Sequence, residues 1–187
     1  MFTNESTDSV PQSALNQYPD IPKLVISVNG VEKLLANLNT GKAAGPDGLS
    51  GKLLKGTSSE IAPILHAIFQ RSIDEGTVPR AWKHANISPV FKKKDRCDPA
   101  NYRPVSLTCI SCKILEHIIN RHVLDHLDAH GILADEQHGF RKRRSCETQL
   151  ILTCHDLASV VNNCGQVDML VLDFAKAFDT VAHKRLL

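Results

Sequence analysis

The sequence predicts a helix-rich α+β fold that forms one domain or part of a larger one. Of the 187 residues, 42% are hydrophobic but only 5% aromatic, so aliphatic side chains must fill most of the core. Several segments repeat apolar residues at helical spacing, whereas residues 86–91 and 169–172 are short apolar runs typical of strands. No apolar run is long enough to cross a bilayer, and residues 1–20 lack the basic start of a signal peptide. We therefore expect an intracellular protein.

The first half of the chain predicts a leader, two helices and a turn. Residues 1–23 are polar, acidic and interrupted by proline, which indicates a disordered leader or linker. Asn29 can cap a first helix, and the following stretch TGKAAGPDG predicts a tight turn at 46–48. Ser59 can cap a second helix, with Pro63 in its first turn. The apolar face of this helix consists of Ile61, Ile64, Leu65, Ile68 and Phe69.

The second half predicts a strand, two helices and a final strand followed by a helix. The strand candidate at 86–91 leads into three lysines, and a longer helix is predicted from Cys112 to Leu127. Residues 169–172 form a strand that ends on Asp173, and a last helix begins at Thr180. The helix before that strand has one apolar stripe, which consists of Leu150, Cys154, Leu157 and Val161.

The cysteines permit two interpretations. Cys109 and Cys112, followed by His117 and His122, have a spacing that resembles a zinc site. Aliphatic residues surround them at helical spacing, however, and no second CxxC motif is present. Without a secretion signal, the pattern favours buried, reduced thiols.

Two clusters of basic residues lie in predicted loops. Between Lys92 and Arg103 there are five basic and two acidic residues, a local charge of +3, and residues 141–144 are all basic. Such a run is often only a solvated surface. Two runs in a chain that also carries a strand-end carboxylate favour phosphate binding, because arginine forms bidentate phosphate contacts and lysine supplies a point charge. The partner is then a nucleic acid, a nucleoside triphosphate or both.

Asp173 lies where the predicted strand leaves the core, and a carboxylate there can hold an ion without full burial. Mg²⁺ suits such a position, because it takes one or two protein carboxylates together with waters and substrate phosphate oxygens. The alternative is that Asp173 only ends the strand and caps the following turn. Asp179 is better explained as the N-cap of the last helix.

Four ordered blocks resemble the reverse transcriptases of non-LTR retrotransposons, the jockey-like and related lineages. Three of them are GKAAGPDGLSGKLLK, VPRAWKHANISPVFKKKDRCDPANYRPVSLTCISCKILE and ADEQHGFRKRRSCETQL, and LDFAKAFDTVAH resembles motif A of that family. The resemblance extends from about Val25 to the end of the sequence. It implies a right-hand polymerase, with an N-terminal extension and fingers at residues 24–166 and the start of a truncated palm at 167–187.

The resemblance also implies roles for individual residues. Asp173 matches the first catalytic aspartate, which binds the metal, and the backbone carbonyl of Phe174 beside it is a further ligand. Lys92 and Arg103 match residues of the fingers that approach the incoming triphosphate. Arg141 lies in a loop expected near the template and the nucleotide.

The implied reaction sets the expected cofactor and partners. Phe178 matches the position that presses on the sugar and excludes a ribose 2′-hydroxyl, so it would select deoxynucleotides. The family copies RNA into DNA with Mg²⁺, an RNA template, a DNA primer and deoxynucleoside triphosphates. We expect no membrane partner, and the sequence indicates no stable protein partner.

Three departures from the family pattern affect this expectation. The loop pattern FRxGRS usually has glycine where this chain has Arg143, at a position that tolerates positive φ. The sequence after KAFD reads TVAH, where the family usually has VPH. The aromatic-Ala-Asp-Asp turn that completes the two-metal site is absent, so we expect this chain not to polymerise alone. Residues 169–172 would then lack strand partners and be exposed.

Three interpretations of the function therefore remain. The first is part of an RNA-directed DNA polymerase of a non-LTR retrotransposon, with its own catalytic activity uncertain. The second is a non-catalytic nucleic-acid-binding remnant that uses the basic loops. The third, another right-hand polymerase such as a group II intron or RNA-templated RNA enzyme, is disfavoured by Phe178 and by the NYRPVSLT and QHGFR blocks.

Overall fold

The computed structural model describes residues 18–174 of the chain. Within that range the protein has five α-helices and two β-strands, so the predicted α+β class is confirmed. The chain divides into a unit at residues 20–129 and a second unit whose described part is residues 130–174 with 18–19. The elements are α1 Val28–Ala36, α2 Gly51–Gly56, α3 Ser58–Glu75, β1 Asn86–Phe91, β2 Tyr102–Leu107, α4 Ile110–Ala129 and α5 Cys146–Asn162.

The N-cap of helix α1 lies two residues earlier than predicted. The Ser27 side-chain oxygen accepts a hydrogen bond from the backbone N–H of Gly30 at 3.1 Å, so Ser27, and not Asn29, is the N-cap. A serine hydroxyl at this position satisfies one of the N–H groups that the first turn leaves unpaired. The helix then packs against α3, with Val31 and Leu35 fully buried.

Helices α2 and α3 are separated only by Thr57. The sequence pattern does not predict α2, because it has six residues and a glycine at each end. Ser50 caps it by accepting from the N–H of Leu53 at 3.2 Å. Thr57 connects α2 directly to α3, which starts at Ser58. Pro63 is therefore the sixth residue of α3 and does not lie in the predicted first turn.

The buried face of α3 differs from the predicted face. Leu65 and Phe69 are buried as predicted, but Ile64 is 61% exposed and Ile68 is 37% exposed. The buried face packs against α1, and Trp82 packs edge-on against Phe69 with the ring centroids 5.6 Å apart. The buried residues of α3 are Ala62, Leu65, Phe69 and Ser72.

The predicted turn at 46–48 is present. The N–H of Gly48 donates to the carbonyl of Gly45 at 3.1 Å, and Gly48 has a φ of +69°. Gly45 lies so close to the backbone before α4 that a Cβ placed on it would be 2.5 Å from the amide nitrogen of Cys109. Only glycine permits that approach, so the turn packs directly against the start of α4.

Strands β1 and β2 form an antiparallel ribbon. β1 covers the predicted residues 86–91, but β2 escapes prediction because Pro104 lies in its middle and proline cannot donate to a ladder. Pro104 pairs with Pro89, and beyond β1 the N–H of Lys92 donates to the carbonyl of Asn101 at 2.9 Å. Bonded and non-bonded pairs alternate along such a ribbon, so the two prolines form a non-bonded pair and the ladder loses no hydrogen bond.

Helix α4 contains the predicted helix at 112–127 and extends it by two residues at each end. Cys109 and Cys112 are buried free thiols at its start, which confirms that interpretation. Burial, reinforced by Glu116 with an oxygen 3.3 Å from the sulfur, raises the pKa of Cys112 to about 11. Among residues 18–174, no three His, Cys, Asp or Glu side chains are grouped as metal ligands, so the structure does not support the zinc interpretation.

An extended segment at residues 20–26 lies on α3 and α4. The side-chain amide of Gln70 bonds to it twice, accepting from the N–H of Ile26 at 2.9 Å and donating to the carbonyl of Leu24 at 3.3 Å. His122 Nε2 lies 2.7 Å from the carbonyl of Pro22. The end of the predicted leader is thus bonded to the unit, while residues 1–17 lie outside the described residues.

Helix α5 belongs to the second unit and begins with a reciprocal cap. The N–H of Thr148 donates to Ser145 Oγ at 3.2 Å, and the N–H of Ser145 donates to Thr148 Oγ1 at 2.9 Å. The predicted helix is therefore present, but its predicted apolar stripe is not buried: Leu150 and Val161 are each 62% exposed. No helix among the described residues, α5 included, has the length and apolar character to span a membrane.

The strand predicted at residues 169–172 is not formed. The segment has no regular secondary structure, and its Leu170 and Leu172 side chains are 82% and 84% exposed. A strand needs a neighbour to bond its backbone groups, and within residues 18–174 no strand pairs with this segment. This prediction was wrong, whereas the exposure agrees with the expectation that the segment lacks partners. The predicted helix at Thr180 lies outside the described residues.

Candidate functional site

The β1–β2 ribbon places Lys92 and Arg103 on one face. Arg103 pairs with Val90, Tyr102 pairs with Phe91, and the bond from Lys92 to Asn101 extends the ladder by one step. Side chains alternate between the faces of a ribbon, so Lys92 and Arg103 share the face opposite the two aromatic rings. Both side chains are exposed, and neither has an ion-pair partner within residues 18–174. The ribbon therefore presents two available cations side by side.

The acidic residues of the connecting loop are used in its turns. Asp95 accepts a hydrogen bond from the N–H of Cys97 at 2.9 Å, and Asp98 accepts one from the N–H of Ala100 at 2.9 Å. Such local bonds are the usual role of aspartate in turns. The loop acids are thus held in turns and form no ion pair with the basic residues among those described, and the stretch keeps a net charge of +3 that favours an anion.

The opposite face of the ribbon stabilises the loop. Phe91 and Tyr102 meet edge to face with their ring centroids 5.5 Å apart, and the guanidinium carbon of Arg96 lies 5.2 Å from the Phe91 centroid. The Tyr102 hydroxyl donates to the carbonyl of Arg96 at 2.8 Å. Arg96 thus has a structural role, and Tyr102 sets the shape of the loop that follows Lys92. Tyr102 belongs to the NYRP block of the sequence, but its structural role becomes visible only from the pairing register of the ribbon.

In the second basic cluster, two arginines bond within their own unit. Arg141 donates to the carbonyl of Ala134 at 2.7 Å, and its side chain is 15% exposed. Arg144 pairs with Asp135 at 3.1 Å and also contacts His138 at 3.4 Å. To bind a substrate as predicted, Arg141 would have to give up its hydrogen bond to the Ala134 carbonyl for one to the substrate.

Arg143 has the backbone conformation expected for the glycine of the family pattern. Its φ is +60°, and its side chain is exposed. Phe140 in the same loop has a φ of +61° and is 92% exposed. A left-handed backbone is unfavourable for side chains with a Cβ, so the loop is strained at both positions. The backbone at Arg143 thus keeps a conformation that the family's usual glycine tolerates, although the side chain has changed.

Asp173 and Phe174 lie in the irregular segment of the second unit. Asp173 is exposed and Phe174 is 82% exposed. Their carboxylate and carbonyl oxygens are the donor types that Mg²⁺ takes. They are too few for a complete centre, because no group of three metal-ligating side chains occurs in the described range. Phe178 and Asp179 lie outside the described residues.

Comparisons with known proteins identify the family. Residues 91–187, just over half of the chain, match the family described as reverse transcriptase (RNA-dependent DNA polymerase). The chain is 30% identical over 168 residues to the RNA-directed DNA polymerase from mobile element jockey of Drosophila melanogaster, covering 89% of this chain and 18% of that protein. It is 27% identical over 175 residues to the probable RNA-directed DNA polymerase from transposon X-element of the same species, covering 92% and 19%.

A third relative is described in different words. The putative 115 kDa protein in type-1 retrotransposable element R1DM of Drosophila melanogaster is 30% identical over 159 residues, covering 83% of this chain and 15% of that protein. The chain thus spans less than a fifth of the length of these curated relatives. The chain belongs to the reverse transcriptase family, among the proteins of non-LTR retrotransposons.

Proposed function

We propose that this chain supplies the N-terminal extension, the fingers and the start of the palm of a right-hand polymerase that copies RNA into DNA. Family membership and relatives named as RNA-directed DNA polymerases support the proposal. The structural observation that carries it is the ribbon face, where Lys92 and Arg103 lie side by side without ion-pair partners among residues 18–174. The negatively charged phosphates of a deoxynucleoside triphosphate would pair with these two cations.

In the proposed reaction, a primer 3′-hydroxyl attacks the α-phosphate of the triphosphate, and pyrophosphate leaves. Lys92 would supply a point charge to the phosphates, and the planar guanidinium of Arg103 would bind two phosphate oxygens at once. Negative charge grows on the leaving pyrophosphate as the bond breaks. Cations fixed on a ribbon would therefore stabilise the transition state more than the bound substrate.

The other site residues complete the proposal. Reverse transcriptases generally use a divalent metal ion. We assign Mg²⁺ to Asp173 and the carbonyl of Phe174, with further ligands from the substrate, from water and from groups beyond the described residues. Phe178 would select the deoxyribose sugar, and Arg141 would contact the template or the nucleotide. The template would be RNA and the primer DNA.

Binding of a deoxynucleoside triphosphate to the full chain tests the ribbon site. The dissociation constant of a fluorescent dNTP is measured for the wild type, for Lys92→Ala and Arg103→Ala, and for the exposed-lysine control Lys83→Ala. Each site variant should raise it at least about tenfold, because a hydrogen bond to a charged group contributes about 1.5–3 kcal/mol. Equal constants for all four proteins would remove the ribbon from the triphosphate site.

A second candidate is a nucleic-acid-binding module without catalysis. The observation that favours it is the cationic ribbon face itself, because the exposed Lys92 and Arg103 offer their charges to a nucleic-acid phosphate as readily as to a triphosphate. It predicts that RNA affinity falls steeply as salt rises from about 50 to 200 mM, because phosphate binding releases counterions. It also predicts the same affinity with Mg²⁺ or with EDTA. An RNA affinity that does not change with salt concentration would exclude this candidate.

A further inference from the structure

A groove between α1 and α4 lies within the unit at residues 20–129. None of the residues that line it is assigned to the proposed polymerase site. It consists of two cavities of about 490 and 380 Å³. The cavities adjoin, because both are lined by Leu34, Asn37 and His117. Together they form one open channel along the surface of α4.

The floor of the groove is apolar and firmly supported. Ile114 is buried in the core beneath it, and Leu34, Leu38 and Ile118 pack partly buried against that core. Val25 at one edge is 77% exposed. An exposed aliphatic patch of this kind, supported by a packed core, is typical of a surface that binds another apolar surface.

The rim of the groove is positively charged. Lys33 on α1, Lys42 after it and Lys113 on α4 all line the cavities. None of these three lysines has an ion-pair partner among residues 18–174. The acidic residue on the rim is Asp125, which lies 3.6 Å from Arg121, also on the rim. The surplus charge therefore calls for an acidic partner.

The dimensions of the groove match a helix. Its lining on α4 extends from Ile110 to Asp125, about 22 Å at the helical rise of 1.5 Å per residue. We propose that this groove binds an amphipathic α-helix of a partner protein, with aliphatic residues on one face and Asp or Glu residues along its flanks. The aliphatic face covers the floor, and the flanking acids pair with Lys33, Lys42 and Lys113.

A nucleic acid fits the groove less well. Among the described residues, no Phe, Tyr or Trp lines either cavity, so unpaired bases lack a large stacking surface there. The phosphate backbone would satisfy the lysines but would leave Leu34, Leu38 and Val25 uncovered. The apolar floor therefore distinguishes this surface from the cationic face of the ribbon.

The test uses the full chain and a fluorescein-labelled peptide of about 16 residues, with leucines at i, i+3, i+4 and i+7 and glutamates on both flanks. A peptide of the same composition in scrambled order is the control ligand. Anisotropy titration should show saturable binding of the patterned peptide, and the scrambled peptide should bind at least about tenfold more weakly. Equal binding of both peptides would overturn the proposal.

Matched protein variants locate the binding surface. Charge reversal at Lys33, Lys42 and Lys113 together should weaken binding at least about tenfold, whereas reversal at three exposed lysines outside the groove should change it less than about threefold. Those control positions are Lys52, Lys55 and Lys83. Val25→Ser, at an exposed side chain, should also weaken binding severalfold while thermal unfolding is unchanged. Equal losses in the two triple variants would overturn the proposal, as would a uridine oligonucleotide that binds the groove while the peptide does not.

Discussion

The approach of Gly45 to the backbone before α4 predicts a large effect of a single methyl group. A Cβ at this position would lie 2.5 and 2.6 Å from the amide nitrogen and Cα of Cys109, and 2.6 Å from the carbonyl carbon of Thr108. Favourable contacts between such atoms need about 3.5–4.0 Å, so the two backbones must separate by about 1 Å. Overpacking usually costs about 1–3 kcal/mol. Because only backbone atoms obstruct here, we expect Gly45→Ala to cost about 3 kcal/mol or more.

Two other glycines separate this steric effect from backbone conformation. Gly56 ends α2, and a methyl group placed on it would have no other atom within 4 Å, so Gly56→Ala should stabilise the helix by about 0.5–1 kcal/mol. Gly48 is equally open, but its φ of +69° makes Gly48→Ala cost about 1 kcal/mol. The expected order of stability is Gly56→Ala, wild type, Gly48→Ala and then Gly45→Ala.

Urea unfolding followed by tryptophan fluorescence measures this series. Trp82 is the chain's single tryptophan and packs against Phe69 in the core of the same unit, so its emission reports on that unit. The free energy of unfolding follows from the midpoint and the slope of each curve. A Gly45→Ala protein within about 0.5 kcal/mol of the wild type would refute a tight contact between the turn and α4.

Four further predictions follow from other contacts. Arg143→Gly should relieve the left-handed strain by about 1 kcal/mol, seen as slower amide exchange at residues 138–144; faster exchange would contradict it. Ser27→Ala should lower the free energy of unfolding by about 1 kcal/mol, whereas Ser27→Asp should retain it. Tyr102→Phe should cost about 1 kcal/mol through the lost bond to the Arg96 carbonyl, and an unchanged urea midpoint would argue against that bond. Cys112, with its pKa raised to about 11, should resist iodoacetamide at pH 9, and stability should fall as pH rises toward 11, because the folded state favours the neutral thiol; early alkylation would show that the thiol is accessible.

Local patterns in the sequence predict some elements well and others poorly. The β1 range, the α4 helix and the turn at 46–48 follow from apolar spacing and from turn residues. β2 does not, because Pro104 argues against a strand unless it occupies a non-bonded position, and only the pairing register shows that it does. The buried face of α3 depends on which elements pack against it, chiefly α1, and the pattern within the helix does not contain that information.

The candidate site shows the same division. Lys92 and Arg103 follow from the resemblance to the family, but their common face requires the pairing register of the ribbon. The positive φ of Arg143 is predictable, because glycine usually occupies that position. The inward direction of Arg141 depends on Ala134 seven residues away, and charge counting cannot detect such a contact.

The paired prolines of the ribbon have a further consequence for assembly. In a non-bonded antiparallel pair, the backbone N–H groups point outward, toward the two free edges. Pro89 and Pro104 therefore remove one donor from each edge at the same level. If a third strand were added on either side, its carbonyl facing the proline would find no N–H to bond. This missing hydrogen bond disfavours growth of the sheet. The same pair that fits the ladder thus keeps the ribbon two strands wide and guards it against edge-to-edge aggregation.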